Sequence, residues 1–222
     1  MMDTRKADWE IRCVIYDCDG VLFDSLEANT RLYNDLCARV GRGPLIKEEL
    51  GYVHTHTVFE ALHFIFGQED EMERKALELL RLKEIDLREY VAYLKMEPHL
   101  IQTLETLQKK GILRVINTNR TTSMKYIMEK FNLWPYFERV VTALDVKNPK
   151  PHPESIEKIL QEFNLRKKEA VFVGDSDVDQ QTAKSSGIKF IAYKNKEIAN
   201  DAYIEDHLGL LSMVLSPKDF QR

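Results

Sequence analysis

One short stretch joins a buried strand to a pair of acids, and it limits how the rest of the chain can fold. The apolar run 13–16 has no helical spacing, which is typical of a strand buried on both faces of a parallel sheet. Asp17 and Asp19 follow it, and Gly20 allows a sharp turn. Because alternate residues of an extended chain point the same way, both carboxylates face one space at the carboxyl end of the strand. Two carboxylates this close repel each other unless a cation or a shared proton compensates.

Strands alternate with helical patterns along most of the chain. The first strand lies at about 11–16, and further strands are predicted near 112–116, 140–142, 170–173 and 190–193. Such alternation specifies a parallel sheet with helices on both faces, joined by right-handed crossovers. The sequence therefore predicts an α/β fold with a Rossmann-like, three-layer core around a parallel sheet.

A helical block interrupts this alternation directly after the first strand. The block contains no clear strand, and its patterns predict two short helices within 46–66 and one long helix over 69–94. We therefore predict a core domain formed by residues 1–24 and 95–222, with an inserted α-helical cap domain at residues 25–94. The insertion leaves the core beside the acid pair, where it is positioned to act as a lid.

Polar side chains follow four strands of the predicted sheet, at the point where each strand ends. In a parallel sheet these ends converge on the edge where ligands bind. A lysine, a hydroxyl and two separate acidic clusters at such ends are hard to explain by stability alone. The residues are Asp17 and Asp19, Thr118 and Asn119, Lys150 in the loop after the strand at 140–142, and Asp175 and Asp179.

These clusters form a set of motifs that occur in order along the chain. They are DxDGxxxDS at 17–25, TN at 118–119, KPxP at 150–153 and GDSxxD at 174–179. With this set the chain resembles the haloacid dehalogenase superfamily, and its helical block is similar to the small cap of phosphoglycolate phosphatase-like and β-phosphoglucomutase-like members. The resemblance implies a magnesium-dependent phosphatase that works through an aspartyl-phosphate on a small phosphorylated metabolite.

The resemblance, together with the chemistry of the side chains, suggests a role for each residue. Asp17 is the expected nucleophile, and Asp19 is the expected general acid and base, which protonates the leaving oxygen and then activates water. Phosphate oxygens are expected to bind Thr118, Asn119 and Lys150. The lysine is also expected to lower the pKa of the nucleophile. Mg²⁺ prefers hard oxygen ligands. Its expected ligands are Asp17, Asp19 through its main-chain carbonyl, Asp175 and, less directly, Asp179.

The same motifs leave other activities open. A sugar-phosphate mutase of the β-phosphoglucomutase type would share all four motifs, and a regulatory protein that kept the fold without catalysis is a further alternative. A dehalogenase or a phosphonate hydrolase is less favoured. Asp19 supplies an acid that cleavage of a carbon–halogen bond does not need, and phosphonate cleavage in this superfamily uses another residue at that position.

Three other polar residues are ambiguous. His54 and His56 lie at the break between two predicted cap helices, where the resemblance places a substrate-specificity loop, although plain loop residues are an equal alternative. A metal site at the histidines is not favoured, because no further Cys/His cluster supports one. Arg120 is able to contact substrate, but a surface arginine at a helix N-terminus is the preferred interpretation.

Composition excludes several classes of partner. The chain has 222 residues and a formal net charge of −4, which argues against binding to nucleic acid or acidic membranes. No apolar stretch is long enough to span a bilayer, and the first residues lack the apolar segment of a signal peptide. The three cysteines form no CxxC pair, so a cytoplasmic protein is expected. The predicted partner is a small-molecule phosphate ester, and no oligomeric state is predicted.

Overall fold

The computed structural model describes residues 9–67 and 70–215. The outer ends of the predicted core domain, 1–8 and 216–222, and Glu69 in the predicted long cap helix lie outside the described residues. The strands are β1 (Cys13–Tyr16), β2 (Phe23–Asp24), β3 (Lys95–Met96), β4 (Leu113–Asn117), β5 (Arg139–Val141), β6 (Ala170–Gly174), β7 (Lys189–Tyr193) and β8 (Ala202–Ile204). The helices are α1 (Leu26–Arg39), α2 (Lys47–Val53), α3 (Val58–Phe66), α4 (Asp70–Arg81), α5 (Leu87–Val91), α6 (Leu100–Lys109), α7 (Ser123–Lys130), α8 (Glu154–Glu162), α9 (Asp177–Ser186) and α10 (His207–Val214).

Six parallel strands of the described chain form the main sheet, in the order β5-β4-β1-β6-β7-β8. Counted along the chain, these strands have the spatial order 3-2-1-4-5-6 of a Rossmann fold, and the order reverses between β1 and β6. Ligands of such sheets bind beyond the carboxyl ends of the strands at this reversal. The predicted α/β fold is confirmed, and β1 lies where its acidic end is central. The short edge strand β8 was not predicted.

Helices cover both faces of the sheet, and the central strand contributes to both sides. Val14 and Tyr16 of β1 pack into an apolar cluster with α6, α7 and α10. Cys13 and Ile15 point to the opposite face and pack into a second cluster with α8 and α9. This alternation is the geometry of an extended strand buried on both sides. The three-layer arrangement predicted from the sequence is therefore present.

Five helices of the described chain, α1–α5, lie between β2 and β3 and share an apolar cluster of their own. We call the segment from Leu26 to Val91 the helical insertion. The two short helices predicted within 46–66 are present as α2 and α3. In the described residues, no helix is both long and apolar enough to cross a membrane.

The single long helix predicted over 69–94 is wrong, because the chain turns between α4 and α5. Lys83 adopts a left-handed conformation, with φ of 58°. The main-chain N–H of Glu84 then donates to Leu79 O, which satisfies a carbonyl at the end of α4. Asp86 begins α5 by accepting a hydrogen bond from the main-chain N–H of Arg88.

The chain enters and leaves the helical insertion through a two-stranded antiparallel ladder. Phe23 of β2 pairs with Met96 of β3, and Asp24 pairs with Lys95. Phe23 is fully buried, and its ring lies 4.5 Å from that of Phe131. The ladder lies at the predicted domain boundaries, while the division into core and cap domains stays a prediction.

Candidate active site

The first acid pair lies at the carboxyl end of β1. The main-chain N–H of Asp17 donates to Val173 O of β6 at 2.9 Å, which holds this end of the strand in the sheet. Gly20 follows with φ of 71°, and a Cβ at this position would lie 1.8 Å from Oδ2 of Asp175. The turn therefore requires glycine for its conformation and for the space occupied by the second acidic cluster.

Lys150 connects two of the predicted acids. Its Nζ donates to Oδ1 of Asp17 at 2.8 Å and to Oδ1 of Asp179 at 2.6 Å, and the lysine is only 3% exposed. Oδ2 of Asp179 accepts a hydrogen bond from the Ser176 hydroxyl at 2.6 Å, so both of its oxygens have partners. The predicted proximity of lysine to acids is present. The lysine is anchored by two carboxylates that are remote from it in the sequence.

The TN motif at the end of β4 positions the lysine loop. Oδ1 of Asn119 accepts from the main-chain N–H of Lys150 at 3.1 Å, and Nδ2 donates to Lys150 O at 3.1 Å. Thr118 is buried, and its main-chain N–H donates to Val141 O of β5. The structure therefore brings together the predicted substrate-binding residues Thr118, Asn119 and Lys150.

Asp17, Asp175 and Asp179 form one acidic cluster. One carboxylate oxygen from each lies within 4.8 Å of the others. Burial, followed by the charge of Asp179, raises the pKa of Asp17 to about 7, although Lys150 acts in the opposite direction. Burial and the neighbouring acids also raise the pKa of Asp175 well above its usual value. Lys150 therefore lowers the pKa of Asp17 as expected, but burial and the charge of Asp179 outweigh it and the net shift is upward.

This cluster has the donor set of a site for a hard divalent cation. Its three carboxylates converge in a largely buried place, where burial and then their mutual repulsion raise the pKa values of Asp17 and Asp175. A cation would relieve this repulsion, and carboxylate oxygens are the ligands that Mg²⁺ and Ca²⁺ prefer. Within the described ranges 9–67 and 70–215, the acidic cluster is the sole group of potential metal ligands, so His54 and His56 belong to no such group.

Asp19 binds Arg120, and this partner was not predicted. The guanidinium donates from Nε to Oδ2 at 2.7 Å and from Nη2 to Oδ1 at 2.6 Å. Burial alone would raise the pKa of Asp19, but the charge and hydrogen bonds of Arg120 outweigh it and lower the pKa below its usual value. The Arg120 side chain is 12% exposed, so the interpretation as a surface residue is wrong. Its position directly after the TN motif was the available signal.

Asn29 of α1 extends this ion pair into the helical insertion. Its Nδ2 donates to Oδ1 of Asp19 at 3.2 Å and lies 3.2 Å from Nδ1 of His54, while its Oδ1 accepts from Arg120 at 3.1 Å. Since the Asn29 amide nitrogen only donates, Nδ1 of His54 is the acceptor and the ring proton lies on Nε2. Sequence reasoning missed Asn29, and the available signal in the sequence was a polar residue on the apolar side of the helix predicted after Ser25.

The two histidines of the insertion differ in their surroundings. Burial lowers the pKa of His54, and its Nε2 is a buried atom without a hydrogen-bond partner among the described residues. His56 instead stacks on Tyr52, with ring centroids 3.7 Å apart, and its Nδ1 donates to Tyr52 O. Thr55, between the two histidines, accepts a hydrogen bond from Nδ2 of Asn119 at 3.4 Å. The loop that carries the histidines therefore lies directly over the strand ends.

A cavity of about 480 Å³ lies between the strand ends and the helical insertion. The core side is lined by the predicted residues Asp17, Asp19, Thr118, Asn119 and Lys150, together with Arg120. The insertion side includes both histidines. A buried lysine–carboxylate pair and a largely buried arginine at the end of such a cavity form an arrangement able to bind an anionic group and transfer it to a carboxylate.

Comparison with known proteins agrees with this geometry. A family model described as haloacid dehalogenase-like hydrolase matches residues 14–193, which include all four strand-end motifs. This chain belongs to the haloacid dehalogenase-like hydrolases. The superfamily predicted from the four motifs is therefore confirmed.

Several relatives of this hydrolase are similar over most of their length. A phosphoglycolate phosphatase from Rhodobacter capsulatus is 28% identical over 188 residues, or 81% of this chain and 83% of that enzyme. Pyrophosphatase PpaX from Oceanobacillus iheyensis is 23% identical over 195 residues, or 82% and 83% of the two chains. A crystal structure of a subfamily IA hydrolase from Geobacter sulfurreducens is 37% identical, with a TM-score of 0.74, and covers 94% of this chain and 98% of that one. The family and these relatives support a phosphatase.

Proposed function

We propose that this hydrolase is a Mg²⁺-dependent phosphomonoesterase that acts on a small phosphorylated metabolite through an aspartyl-phosphate at Asp17. The observation that carries the proposal is the buried Lys150, which holds Asp17 and Asp179 at the end of a cavity lined by Thr118 and Asn119. Carboxylates are competent nucleophiles for phosphoryl groups. A fixed positive charge beside them stabilises the charge that develops on the phosphoryl oxygens.

In the proposed first step, a carboxylate oxygen of Asp17 attacks phosphorus and the bond to the ester oxygen breaks. Asp19 gives its proton to that leaving oxygen, so an alcohol departs. In the second step, water attacks the phosphoryl group and Asp19 takes a proton from it. The bond between phosphorus and Asp17 breaks, which releases inorganic phosphate and restores both acids. Lys150 and Thr118 bind phosphoryl oxygens throughout.

The metal is proposed to bind at the acidic cluster. Asp17, Asp175 and the main-chain carbonyl of Asp19 would hold Mg²⁺ directly. Asp179 would contribute less directly, because its oxygens already bind Lys150 and Ser176. A bound Mg²⁺ supplies positive charge that offsets the clustered carboxylates and the oxygens of the transferred phosphoryl group.

Arg120 is proposed to change partners when substrate binds. Asp19 must carry a proton to act as the acid, whereas its ion pair with Arg120 favours the ionised form. The guanidinium lines the same cavity and has the geometry to bind two phosphate oxygens. A phosphoryl group that binds Arg120 in place of Asp19 would leave Asp19 free to carry and transfer a proton.

A sugar-phosphate mutase is the second candidate, and one observation favours it. The insertion contacts the core across the site through Thr55 with Asn119 and through Asn29 with Asp19 and Arg120. A mutase needs such closure to keep water from its aspartyl-phosphate. Incubation with a hexose 1-phosphate separates the two, because a mutase forms the 6-phosphate and a phosphatase forms free sugar and inorganic phosphate.

The proposed location is the cytoplasm. Cys13, Cys18 and Cys37 are free and buried, as expected for a protein kept in a reducing compartment. A fractionation experiment with an antibody to the native chain tests this location directly.

The test of function is phosphate release from a panel of esters in the presence of Mg²⁺. Asp17→Asn should lower the rate by roughly a thousandfold or more, because the amide is a poor nucleophile. Asp177→Asn is the matched control, since Asp177 is exposed at the start of α9 and should leave the rate unchanged. Full activity in Asp17→Asn would overturn the nucleophile assignment, and release from no ester by the wild-type enzyme would overturn the phosphatase.

A further inference from the structure

Part of the side of the cavity formed by the helical insertion is apolar, and polar residues such as His54, His56 and Arg81 line the rest of that side. The apolar part is made by side chains from three helices: Leu32 of α1, Val58 and Phe59 of α3, and Leu77 and Leu80 of α4. We call these five residues the apolar wall. All but Phe59 are partly buried and pack against the apolar cluster of the insertion, which fixes their positions.

Two large apolar side chains at this cavity are exposed to water. Phe59 of the apolar wall is 52% exposed, and Leu144, which lines the cavity from the core side, is 58% exposed. They come from different parts of the fold, yet they line the same space. Exposed apolar surface gathered in one concave site is favourable for binding an apolar ligand, because the ligand removes that surface from water.

The cations of the cavity are already paired with acids. Lys150 binds Asp17 and Asp179, and Arg120 binds Asp19. Arg81 is the third lysine or arginine that lines the cavity, and its side chain is 74% exposed and 3.8 Å from Glu78. Among the described residues that line the cavity, no buried lysine or arginine is therefore left unpaired to receive a carboxylate or a second phosphate group.

We propose that the substrate is a phosphate monoester whose leaving group is uncharged and apolar, an alkyl chain or an aromatic ring seated against the apolar wall. This inference rests on the proposed phosphatase function and adds the class of substrate. The cavity of about 480 Å³ lies within the roughly 300 to 1,000 Å³ typical of sites that enclose drug-sized ligands. A two-carbon acid bearing one phosphate would leave most of the wall in contact with water.

The first experiment compares ethyl, butyl, hexyl and octyl phosphate in the presence of Mg²⁺. These esters have leaving groups of similar acidity, so differences in kcat/KM report on binding of the chain. We expect kcat/KM to rise about fourfold for each added methylene until the wall is covered, as burial of one methylene predicts. We also expect octyl phosphate to exceed 2-phosphoglycolate.

A matched pair of variants tests whether the wall causes the preference. Phe59→Ser should lower the ratio of kcat/KM for octyl phosphate to that for ethyl phosphate by about tenfold. Phe64→Ser is the control, because Phe64 lies on the same helix, is 49% exposed and stacks on Tyr52 outside the cavity lining. It should leave the ratio unchanged. Both side chains are exposed, so neither variant should prevent folding.

The outcomes separate this inference from the proposed function. Phosphate release without a rise along the alkyl series would overturn the inference and leave the phosphatase intact. A preference for 2-phosphoglycolate or a sugar bisphosphate that is lost in Arg81→Gln would also overturn the inference and leave the phosphatase intact. Arg81 would then be shown to bind a second anionic group of the substrate. Release from no ester at all would overturn both.

Discussion

The Arg120 guanidinium holds the Asp19 carboxylate through two hydrogen bonds, from Nε to Oδ2 at 2.7 Å and from Nη2 to Oδ1 at 2.6 Å. Their side chains are 12% and 13% exposed, and Asn29 binds both. Because a lone charge in such a place is costly, each partner depends on the other. The pair also joins the sheet edge to the insertion, since Asn29 lies on α1 and contacts His54.

Removal of either charge should therefore destabilise the fold. We expect Arg120→Gln and Asp19→Asn each to lower the free energy of unfolding by about 3 kcal/mol, because each leaves a largely buried charge without its partner. The double variant should lose less than the sum of the two. Urea unfolding of the four proteins gives the coupling energy. Strictly additive losses would show that the two side chains do not depend on each other.

Gly20 should be indispensable for activity and not only for backbone conformation. Gly20→Ala and Gly41→Ala both place a Cβ at a positive φ, which costs about 1 to 2 kcal/mol of stability. Gly41 has nothing within 4 Å of that Cβ, whereas the Cβ at Gly20 would overlap Asp175. Only Gly20→Ala should displace this acid and abolish phosphate release. Similar activity of the two variants would rule out the close approach to Asp175.

Mg²⁺ should stabilise the folded protein through Asp175. A ligand that binds only the native state at a hundred times its Kd adds about 2.7 kcal/mol. We expect MgCl₂ to raise the Tm of the wild-type enzyme and EDTA to reverse the rise. Asp175→Asn should shift the Mg²⁺ concentration at half effect upward by tenfold or more, while Asp177→Asn should not. An unchanged Mg²⁺ response in Asp175→Asn would exclude this residue from the metal site.

The free energy of unfolding should decrease at low pH because of His207. The ring is fully buried, Nε2 donates to Val21 O at 2.8 Å, and burial lowers its pKa from 6.5 to about 4. Between these pH values the unfolded chain binds a proton that the folded chain does not. The contribution of neutral His207 to the free energy of unfolding is therefore complete above pH 6.5. It declines as the pH falls towards 4, by about 3 kcal/mol in all.

His207→Gln isolates this contribution, because glutamine keeps a donor for Val21 O and does not titrate. The difference in free energy of unfolding between wild type and variant should shrink as the pH falls from 7.5 to 4.5. Urea unfolding at several pH values measures it. A difference that stays constant over this range would mean that His207 does not account for the acid sensitivity.

The sheet and most site residues could be predicted because their signals are local. Asp17, Thr118 and Asp175 each follow an apolar run, and a parallel sheet brings such strand ends to one edge without further information. The nucleophile and metal roles assigned to these residues stay predictions. Family membership was predictable for the same reason, since each motif is short and contiguous in the sequence.

The missed residues depend on partners that are distant in the sequence. Arg120 is buried because Asp19 and Asn29 receive it, and no pattern around Arg120 contains that information. The net pKa of Asp17 depends on burial and on Asp179 as well as on Lys150. The break between α4 and α5 depends on the left-handed conformation of Lys83, which periodicity of apolar residues does not reveal.

The ladder of β2 and β3 places the two ends of the helical insertion beside each other, with Asp24 opposite Lys95. Because the two ends of the insertion are adjacent, the length of the insertion does not affect the spacing of the strands in the sheet to which it is attached. Helices of another length or packing could be inserted between Asp24 and Lys95 without a change in the register of β1 and β4. Under the proposed function, the leaving group and the phosphoryl chemistry would therefore be determined largely by separate parts of the chain.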